Sequence, residues 1–212
     1  MQVLLALALV LLSAAPLSAQ AVKASHVTVE LVSDVSVAPR GAPFTVAVRF
    51  DLEDQWHTYW RNPGDAGLAP TIELRVPDGY TVEQTDWPFP SVFGDAPDVS
   101  YGYHGTVLLP LRITPPAIDA GDSVTIAAKV KWLVCNDVCI ADKAELALTI
   151  ALGDSAVESN HVGWFDEMAR SLARKPGKIF MTARRDSAGY ELRVASAPER
   201  PGVIPEDLHF FP

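Results

Sequence analysis

The sequence has only two cysteines, Cys135 and Cys139, and has no apolar run long enough to cross a bilayer. A membrane-spanning helix needs roughly 20 apolar residues in succession, whereas the main apolar run covers only residues 3–12. Internal repeats and low-complexity tracts are also missing. These absences exclude a multi-pass membrane protein, a repeat solenoid and a disulfide-rich scaffold among these 212 residues.

The sequence also lacks an excess of basic residues. It has 17 lysines and arginines against 26 aspartates and glutamates, a formal net charge of −9. Binding to nucleic acid needs a basic surface that neutralises phosphates. We therefore expect no nucleic-acid partner, and the acidic balance otherwise indicates only a well-solvated surface.

The first residues predict a signal peptide over 1–21. The apolar run 3–12 is followed by small residues and Pro16, then by Ala19 and Ala21, the small-x-small pattern of a cleavage site. No lysine or arginine precedes the run, and a buried first strand or a retained anchor is the alternative interpretation. We expect export to the periplasm, as a free domain or as part of an inner-membrane protein.

Between residues 24 and 152, apolar residues recur at every second position, which is typical of half-buried strands. The alternation is clearest in 44–52, 107–113, 124–134 and 146–152, and turn residues separate these segments. The pattern predicts an all-β fold, an immunoglobulin-like antiparallel β-sandwich over residues 22–153. A barrel is the main alternative.

The pattern changes after Gly153. Residues 154–160 are polar and predict a linker, and Val162 and Phe165 begin a helical spacing that ends before Lys175-Pro176-Gly177. Two further segments, 179–183 and 190–194, predict a β-hairpin. We expect 154–212 to hold the linker and the start of a small second domain with one helix and a hairpin, in a chain that is longer in nature.

The two cysteines lie between two strongly alternating strands, with Asn136 and Asp137 in the connection. This order predicts that Cys135 and Cys139 face each other at the tip of a hairpin, close enough for a disulfide. A bond across so short a loop adds little stability, because little unfolded-state entropy is lost. In an exported chain the pair is therefore more typical of a redox-active disulfide.

Strand parity predicts how accessible the two sulfurs are. Cys135 shares its parity with Lys131, and Cys139 with Glu145, so both sulfurs are expected to face solvent. Two alternatives stay open. One is a purely structural disulfide in a binding sandwich, and the other is a copper-binding module that uses the reduced cysteines with His57 or His104.

Three segments together resemble the periplasmic N-terminal domain of the DsbD/ScsB-type thiol:disulfide interchange proteins, a family of protein-disulfide reductases. They are Trp56-His57-Thr58-Tyr59-Trp60-Arg61-Asn62-Pro63-Gly64-Asp65-Ala66-Gly67, Tyr101-Gly102-Tyr103, and Trp132 through Cys139. The resemblance covers roughly residues 26–152. It implies an immunoglobulin-like domain with the cysteine pair at one end and no cofactor.

The resemblance also implies a place in an electron relay. A membrane-embedded electron-transfer domain and a thioredoxin-like domain would reduce the Cys135–Cys139 disulfide, and the dithiol would then reduce periplasmic disulfides, for example in isomerases or in cytochrome c maturation. Cys139 would attack the partner and Cys135 would resolve the mixed disulfide. The best-known members have a longer spacing between the cysteines, and their membrane and thioredoxin-like domains are absent from these residues.

Members of the family shield the disulfide with an aromatic cap loop. Here the stretch 88–95 precedes Tyr101-Gly102-Tyr103, and the candidate cap residues are Phe93, Tyr101 and Tyr103. Packing in the core is the alternative role for these aromatic side chains. The same holds for Trp56, Tyr59 and Trp60, whose residue types are more often found in a core than in a site.

Overall fold

The structure is a computed structural model that describes residues 21–95, 98–118, 121–172, 179–186 and 189–196. Apart from Ala21, the predicted signal peptide lies outside the described residues, so it stays a prediction. Within the described ranges, no helix has both the length and the apolar character needed to span a membrane.

The described residues form strands and a single helix in an order that the alternation predicted in large part. The strands are β1 (Val22–Ala24), β2 (Val27–Ser33), β3 (Val35–Pro39), β4 (Phe44–Leu52), β5 (His57–Gly64), β6 (Thr71–Arg75), β7 (Thr81–Gln84), β8 (Ser91–Phe93), β9 (Ser100–His104), β10 (Thr106–Thr114), β11 (Ser123–Cys135), β12 (Cys139–Gly153), β13 (Val157–Glu158), β14 (Ile179–Asp186) and β15 (Gly189–Ser196). The helix is α1 (Val162–Ser171).

Two sheets form the main body. The first has the order β1-β2-β4-β10-β7, and the second has the order β13-β3-β12-β11-β5-β9-β8, with β6 also paired to β11. The pairs are antiparallel, except that β3 and β12 run parallel. Both sheets are open, so the predicted sandwich is confirmed and the barrel alternative is not observed.

The core lies between the two sheets because alternate side chains of each strand point inward. Phe50 of β4 and Trp132 of β11 meet edge to face, with ring centroids 5.8 Å apart. The remaining core is mostly branched aliphatic, and its fully buried members include Val29, Leu31, Val46, Val48, Leu109, Leu111, Ile113, Ile126, Val130 and Val134. The core thus holds β11, and with it the cysteine hairpin, in a fixed position.

Helix α1 covers the outer face of the first sheet. Its Phe165 is 6% exposed and packs against Val32, Ala47 and Leu108. The chain accordingly divides into two compact units after Ser171 rather than at the predicted boundary after Gly153. The helix therefore belongs with the sandwich, because the apolar stripe that predicted it is buried on the sandwich, while β14 and β15 form the predicted hairpin in the second unit.

Candidate functional site

The cysteine pair closes the tip of the β11–β12 hairpin. Cys135 and Cys139 are the last register partners of the two strands, and their sulfurs are bonded at 2.04 Å. Inside the loop, the Asn136 N–H donates to the Val138 carbonyl at 3.0 Å. The hairpin position predicted from the sequence is therefore confirmed.

The two sulfur-bearing residues differ sharply in exposure. Cys139 is exposed, whereas Cys135 is only 2% exposed. The prediction from parity is therefore right for Cys139 and wrong for Cys135. The reason is the neighbouring strand: β5 pairs with β11 at Cys135 and His57 and covers this side of the hairpin, while β12 has its other neighbour, β3, only at its far end.

Tyr59 of β5 is the side chain that covers Cys135. Its hydroxyl donates a hydrogen bond to the Cys135 sulfur at 3.0 Å and lies 4.0 Å from the Cys139 sulfur. Burial raises the pKa of Tyr59, so the hydroxyl keeps its proton and remains a donor at neutral pH. The sequence interpretation assigned Tyr59 to the core and missed this contact, because the pairing of β5 with β11 cannot be seen in the spacing.

The loop after β5 holds the Tyr59 ring in place. Gly67 has a φ of +95°, and a Cβ at this position would lie 2.0 Å from Cε1 of Tyr59. The loop is anchored by Asp65, whose carboxylate accepts from the Val99 N–H at 2.9 Å and whose own N–H donates to the Val99 carbonyl at 2.8 Å. Gly67 and Asp65 of the sequence motif therefore position the Tyr59 ring over Cys135.

Strand β5 is held tightly between its neighbours. The Thr58 hydroxyl donates to the Leu133 carbonyl of β11 at 3.0 Å. On the other side, a Cβ on Gly102 of β9 would lie 2.0 Å from the Thr58 carbonyl oxygen, so only glycine allows this approach. The Tyr101-Gly102-Tyr103 motif thereby acts on the site through the backbone of Gly102.

Phe93 lies next to the site through His57. Its ring stacks on His57 with centroids 4.5 Å apart, and His57 is the register partner of Cys135. Burial lowers the pKa of His57, so the imidazole is neutral at pH 7 and places no positive charge beside the sulfurs. The stack gives the proposed cap residue a physical anchor on the strand that covers Cys135.

The other two cap candidates have different surroundings. Tyr103 is 5% exposed, packs in the core and donates its hydroxyl to the Pro88 carbonyl at 2.8 Å, and its cap role stays a prediction. Tyr101 meets Trp60 edge to face at 6.5 Å, and its cap role stays a prediction.

The two histidines of the copper alternative are brought together by the fold. His57 and His104 are register partners on β5 and β9, and Phe93 contacts both rings. Within the described residues, no group of three or more His, Cys, Asp or Glu side chains is arranged to hold a metal ion.

The comparisons with known proteins match this geometry. Residues 23–151 match the family described as "Thiol:disulfide interchange protein DsbD, N-terminal". No curated protein shows significant sequence similarity to the chain.

The comparison with solved structures supports the fold. The N-terminal periplasmic domain of ScsB from Proteus mirabilis is similar, with a TM-score of 0.59, 22% identity and coverage of 82% of this chain. The chain spans about 65% of the length of that ScsB chain. The reduced N-terminal domain of DsbD from Neisseria meningitidis has 14% identity and a TM-score of 0.28, covering 61% of this chain and 90% of its own.

The family match extends over more than half of the chain and includes the cysteine hairpin, the covering strand β5 and the glycine-rich loop. The ScsB domain shows the same fold. The chain therefore belongs to the family of DsbD N-terminal domains, which are thiol:disulfide interchange domains.

Proposed function

We propose that this domain is a protein-disulfide reductase module that accepts two electrons at the Cys135–Cys139 disulfide and passes them to disulfides of other proteins. One observation carries the proposal: the bond joins an exposed sulfur to a buried sulfur that receives a hydrogen bond from Tyr59. A structural bridge needs no such asymmetry, whereas an exchange reaction needs one accessible sulfur and one good leaving group.

The first half of the cycle is reduction of the domain. A thiolate of the donor attacks the exposed Cys139 sulfur, a mixed disulfide forms, and Cys135 leaves as a thiolate. The Tyr59 hydroxyl, already 3.0 Å from that sulfur, donates to the new negative charge. A second donor thiolate then attacks the donor sulfur of the mixed disulfide, which releases Cys139 and leaves the donor oxidised.

The second half is reduction of the acceptor. The Cys139 thiolate attacks an acceptor disulfide and releases one acceptor thiolate, and Cys135 then attacks Cys139 and releases the other. Two electrons have moved from the domain dithiol to the acceptor, and the Cys135–Cys139 bond has formed again. These roles follow from exposure, since only Cys139 is open to a partner in the described structure.

The family match supports a proposal for the partners and the location. We propose that a thioredoxin-like domain, itself reduced by a membrane electron-transfer domain, supplies the electrons, and that periplasmic disulfide proteins receive them. The stack of Phe93 on His57 supports a shielding role for Phe93, because an aromatic layer beside Cys135 limits access by small oxidants and thiols.

The test of electron relay is the reduction potential of the mature chain, equilibrated with glutathione. A value between about −180 and −270 mV, the range of working carriers, is expected. A value below about −300 mV is typical of a structural bridge and would support the alternative of a non-catalytic binding sandwich.

The test of the two roles uses matched serine variants. Cys135→Ser leaves Cys139 as the only thiol. We therefore expect a long-lived mixed disulfide, visible on a non-reducing gel, with a thioredoxin-like protein that keeps only its attacking cysteine and carries it as a mixed disulfide with thionitrobenzoate, which leaves when Cys139 attacks. Cys139→Ser leaves only the buried Cys135, and we expect at least about tenfold less of the complex, since exchange requires access to the sulfur. Equal trapping by both variants would contradict the assignment.

A further inference from the structure

A groove lies on the outer face of the cysteine hairpin. Every second side chain along a strand lies on the same face of the sheet. Next to the Cys135–Cys139 pair, that face carries first the pair Leu133 and Ala141 and then the pair Lys131 and Lys143. The apolar pair and the basic pair thus follow the disulfide in a line along the same surface.

Leu68 extends this line into a concave surface. The groove has a volume of about 490 Å³, and its lining includes Leu68, Leu133, Ala141 and both lysines. Leu68 is 66% exposed, although it follows Gly67, the residue that holds the Tyr59 ring. We name this surface, formed by Leu68, Leu133, Ala141, Lys131 and Lys143, the hairpin groove.

The two lysines of the hairpin groove are an unusual pair. They are direct register partners, and like charges placed opposite each other in a sheet repel and destabilise it. Both are exposed, and neither forms an ion pair with any residue that the structure describes. The carboxylate of Asp142, which also lines the groove, accepts from the backbone N–H of Lys143. The paired ammonium groups therefore offer a basic spot on a chain of net charge −9.

The opposite side of the hairpin tip has the reverse charge. A second depression there is lined by Glu53, Asp54, His57, Phe93 and Asn136, among others. Glu53 and Asp54 place two carboxylates there, of which Glu53 lies 2.8 Å from Nδ1 of His26, and the imidazoles of His57 and His104 share the lining. The exposed Cys139 sulfur thus belongs to a tip with a basic, apolar groove on one flank and an acidic, aromatic depression on the other.

We propose that the hairpin groove is the docking surface for the redox partner and that it selects partners whose reactive cysteine is flanked by an apolar side chain and a carboxylate. This inference rests on the proposed function. The groove is continuous with the sulfur that the partner must reach, so any protein in a mixed disulfide with Cys139 lies against one flank of the tip. The lysine pair favours an acidic group on that partner, and the acidic flank repels one.

The experiment uses two synthetic peptides that differ in one residue. Acetyl-Glu-Leu-Cys-Gly-amide and acetyl-Lys-Leu-Cys-Gly-amide are prepared as mixed disulfides with thionitrobenzoate and added to the reduced mature chain. Cys139 attacks the peptide sulfur and releases the coloured thionitrobenzoate, and Cys135 then releases the peptide thiol. The measured quantity is the second-order rate of colour release.

The proposed docking surface and the net charge of the chain predict opposite preferences between the two peptides. The chain as a whole is acidic and would favour the lysine peptide, whereas the hairpin groove favours the glutamate peptide. We expect the glutamate peptide to react about fivefold faster, and the ratio to fall toward one at high salt, because exposed charges are screened.

Single charge reversals locate the effect. Lys131→Glu and Lys143→Glu each cancel the charge of the lysine pair and should bring the ratio of the two rates to about one, whereas the double variant should invert it. Lys23→Glu, an exposed control on β1, changes the net charge equally and should leave the ratio unchanged. If Lys23→Glu and Lys131→Glu changed the ratio by the same amount, the docking surface would be wrong.

A second pair of variants tests the apolar part. Leu68→Ser should slow both peptides by about threefold, because their shared leucine loses a contact. Ile118→Ser is the control. Ile118 is 93% exposed and comes before Ser123, the first residue of β11, whereas Cys135 is the last residue of that strand. Equal rates for the two variants would overturn the apolar role of Leu68.

The outcomes separate the docking surface from the proposed function. If neither peptide releases thionitrobenzoate, the thiol–disulfide exchange itself fails. If both peptides react at equal rates, or if the lysine peptide reacts faster, exchange holds and the hairpin groove is not the docking surface. A preference for the glutamate peptide that each lysine variant abolishes and the double variant inverts supports both the thiol–disulfide exchange and the docking surface.

Discussion

The two faces of the β11–β12 hairpin are built from the same strands but carry different kinds of residue. The inner face has Ile126, Val130 and Val134, which are fully buried in the core. The outer face ends in the disulfide, next to the apolar pair and the lysine pair of the hairpin groove. Because the side-chain period of a strand is two, one sequence can supply stability on one face and chemistry on the other.

The comparison also shows why a hairpin suits a reactive bond. Backbone pairing holds the two cysteines in register as far as the last residue of each strand, while the inner face holds the strands on the core. A site on a rigid element keeps its geometry better than one on a loop. The two sulfurs differ in solvent access, because β5 flanks only Cys135 and leaves Cys139 open.

We expect the largest effect from a substitution that removes a core side chain from the inner face alone. Ile126→Ala removes a fully buried side chain from the core, and we expect a loss of about 3 kcal/mol in the free energy of unfolding. The rate of exchange with a thiol should stay unchanged, since the outer face is untouched. Lys129→Ala is the control on the outer face, where loss of its 4.0 Å ion pair with Glu145 should cost less than about 0.5 kcal/mol. Denaturant unfolding and thiol kinetics on the same samples measure both.

A smaller effect is expected from disturbing the cover on the outer face. Gly67→Ala places a methyl group against the Tyr59 ring and forces a positive φ on alanine, so we expect a loss of about 2 kcal/mol in the free energy of unfolding. Reduction of the disulfide by dithiothreitol should become faster, because the displaced ring opens the Cys135 sulfur as a second point of attack.

Gly105→Ala is the matched control for this change. Gly105 also has a positive φ, of +64°, but no atom lies within 4 Å of an added Cβ. It should therefore cost only the backbone strain, about 1 kcal/mol, and leave the rate of reduction as it was. If both alanine variants accelerated reduction equally, Tyr59 would not be the cover.

The smallest expected effect concerns one hydroxyl group. Tyr59→Phe keeps the ring and removes the donor to the Cys135 sulfur, so it should raise the pKa of the Cys135 thiol in the reduced domain. The reduced form loses more than the disulfide, because hydrogen bonds to a charged sulfur are stronger. We expect the potential to become more negative by about 20 mV, which corresponds to about 1 kcal/mol.

Tyr103→Phe is the control for the hydroxyl. It removes a buried hydrogen bond of similar length, from the Tyr103 hydroxyl to the Pro88 carbonyl, that does not involve a sulfur. We expect Tyr103→Phe to lower the free energy of unfolding about as much as Tyr59→Phe does, and to leave the reduction potential of the disulfide unchanged. A shift of equal size in both variants would mean that the potential reports on stability rather than on the bond to Cys135.

Much of the fold could be predicted because the inward residues of β4, β10, β11 and β12 alternate regularly. Strands β5 and β9 were not predicted as strands, since aromatic and polar residues interrupt their alternation. Helix α1 was predicted, and it packs on the sandwich, in the first compact unit. A helical stripe shows that a face is buried and does not show which surface buries it.

The sequence by itself determined the disulfide hairpin, the sandwich and the membership of the family, because these depend on local periodicity, spacing and a contiguous motif. Only the tertiary structure decided which sulfur is open and that Tyr59 bonds to the other. It also decided that Leu68 joins the line of Leu133 and the lysines in one groove. These features depend on which strand lies beside β11 and which loop folds over it, and such long-range contacts leave no periodic signal in the chain.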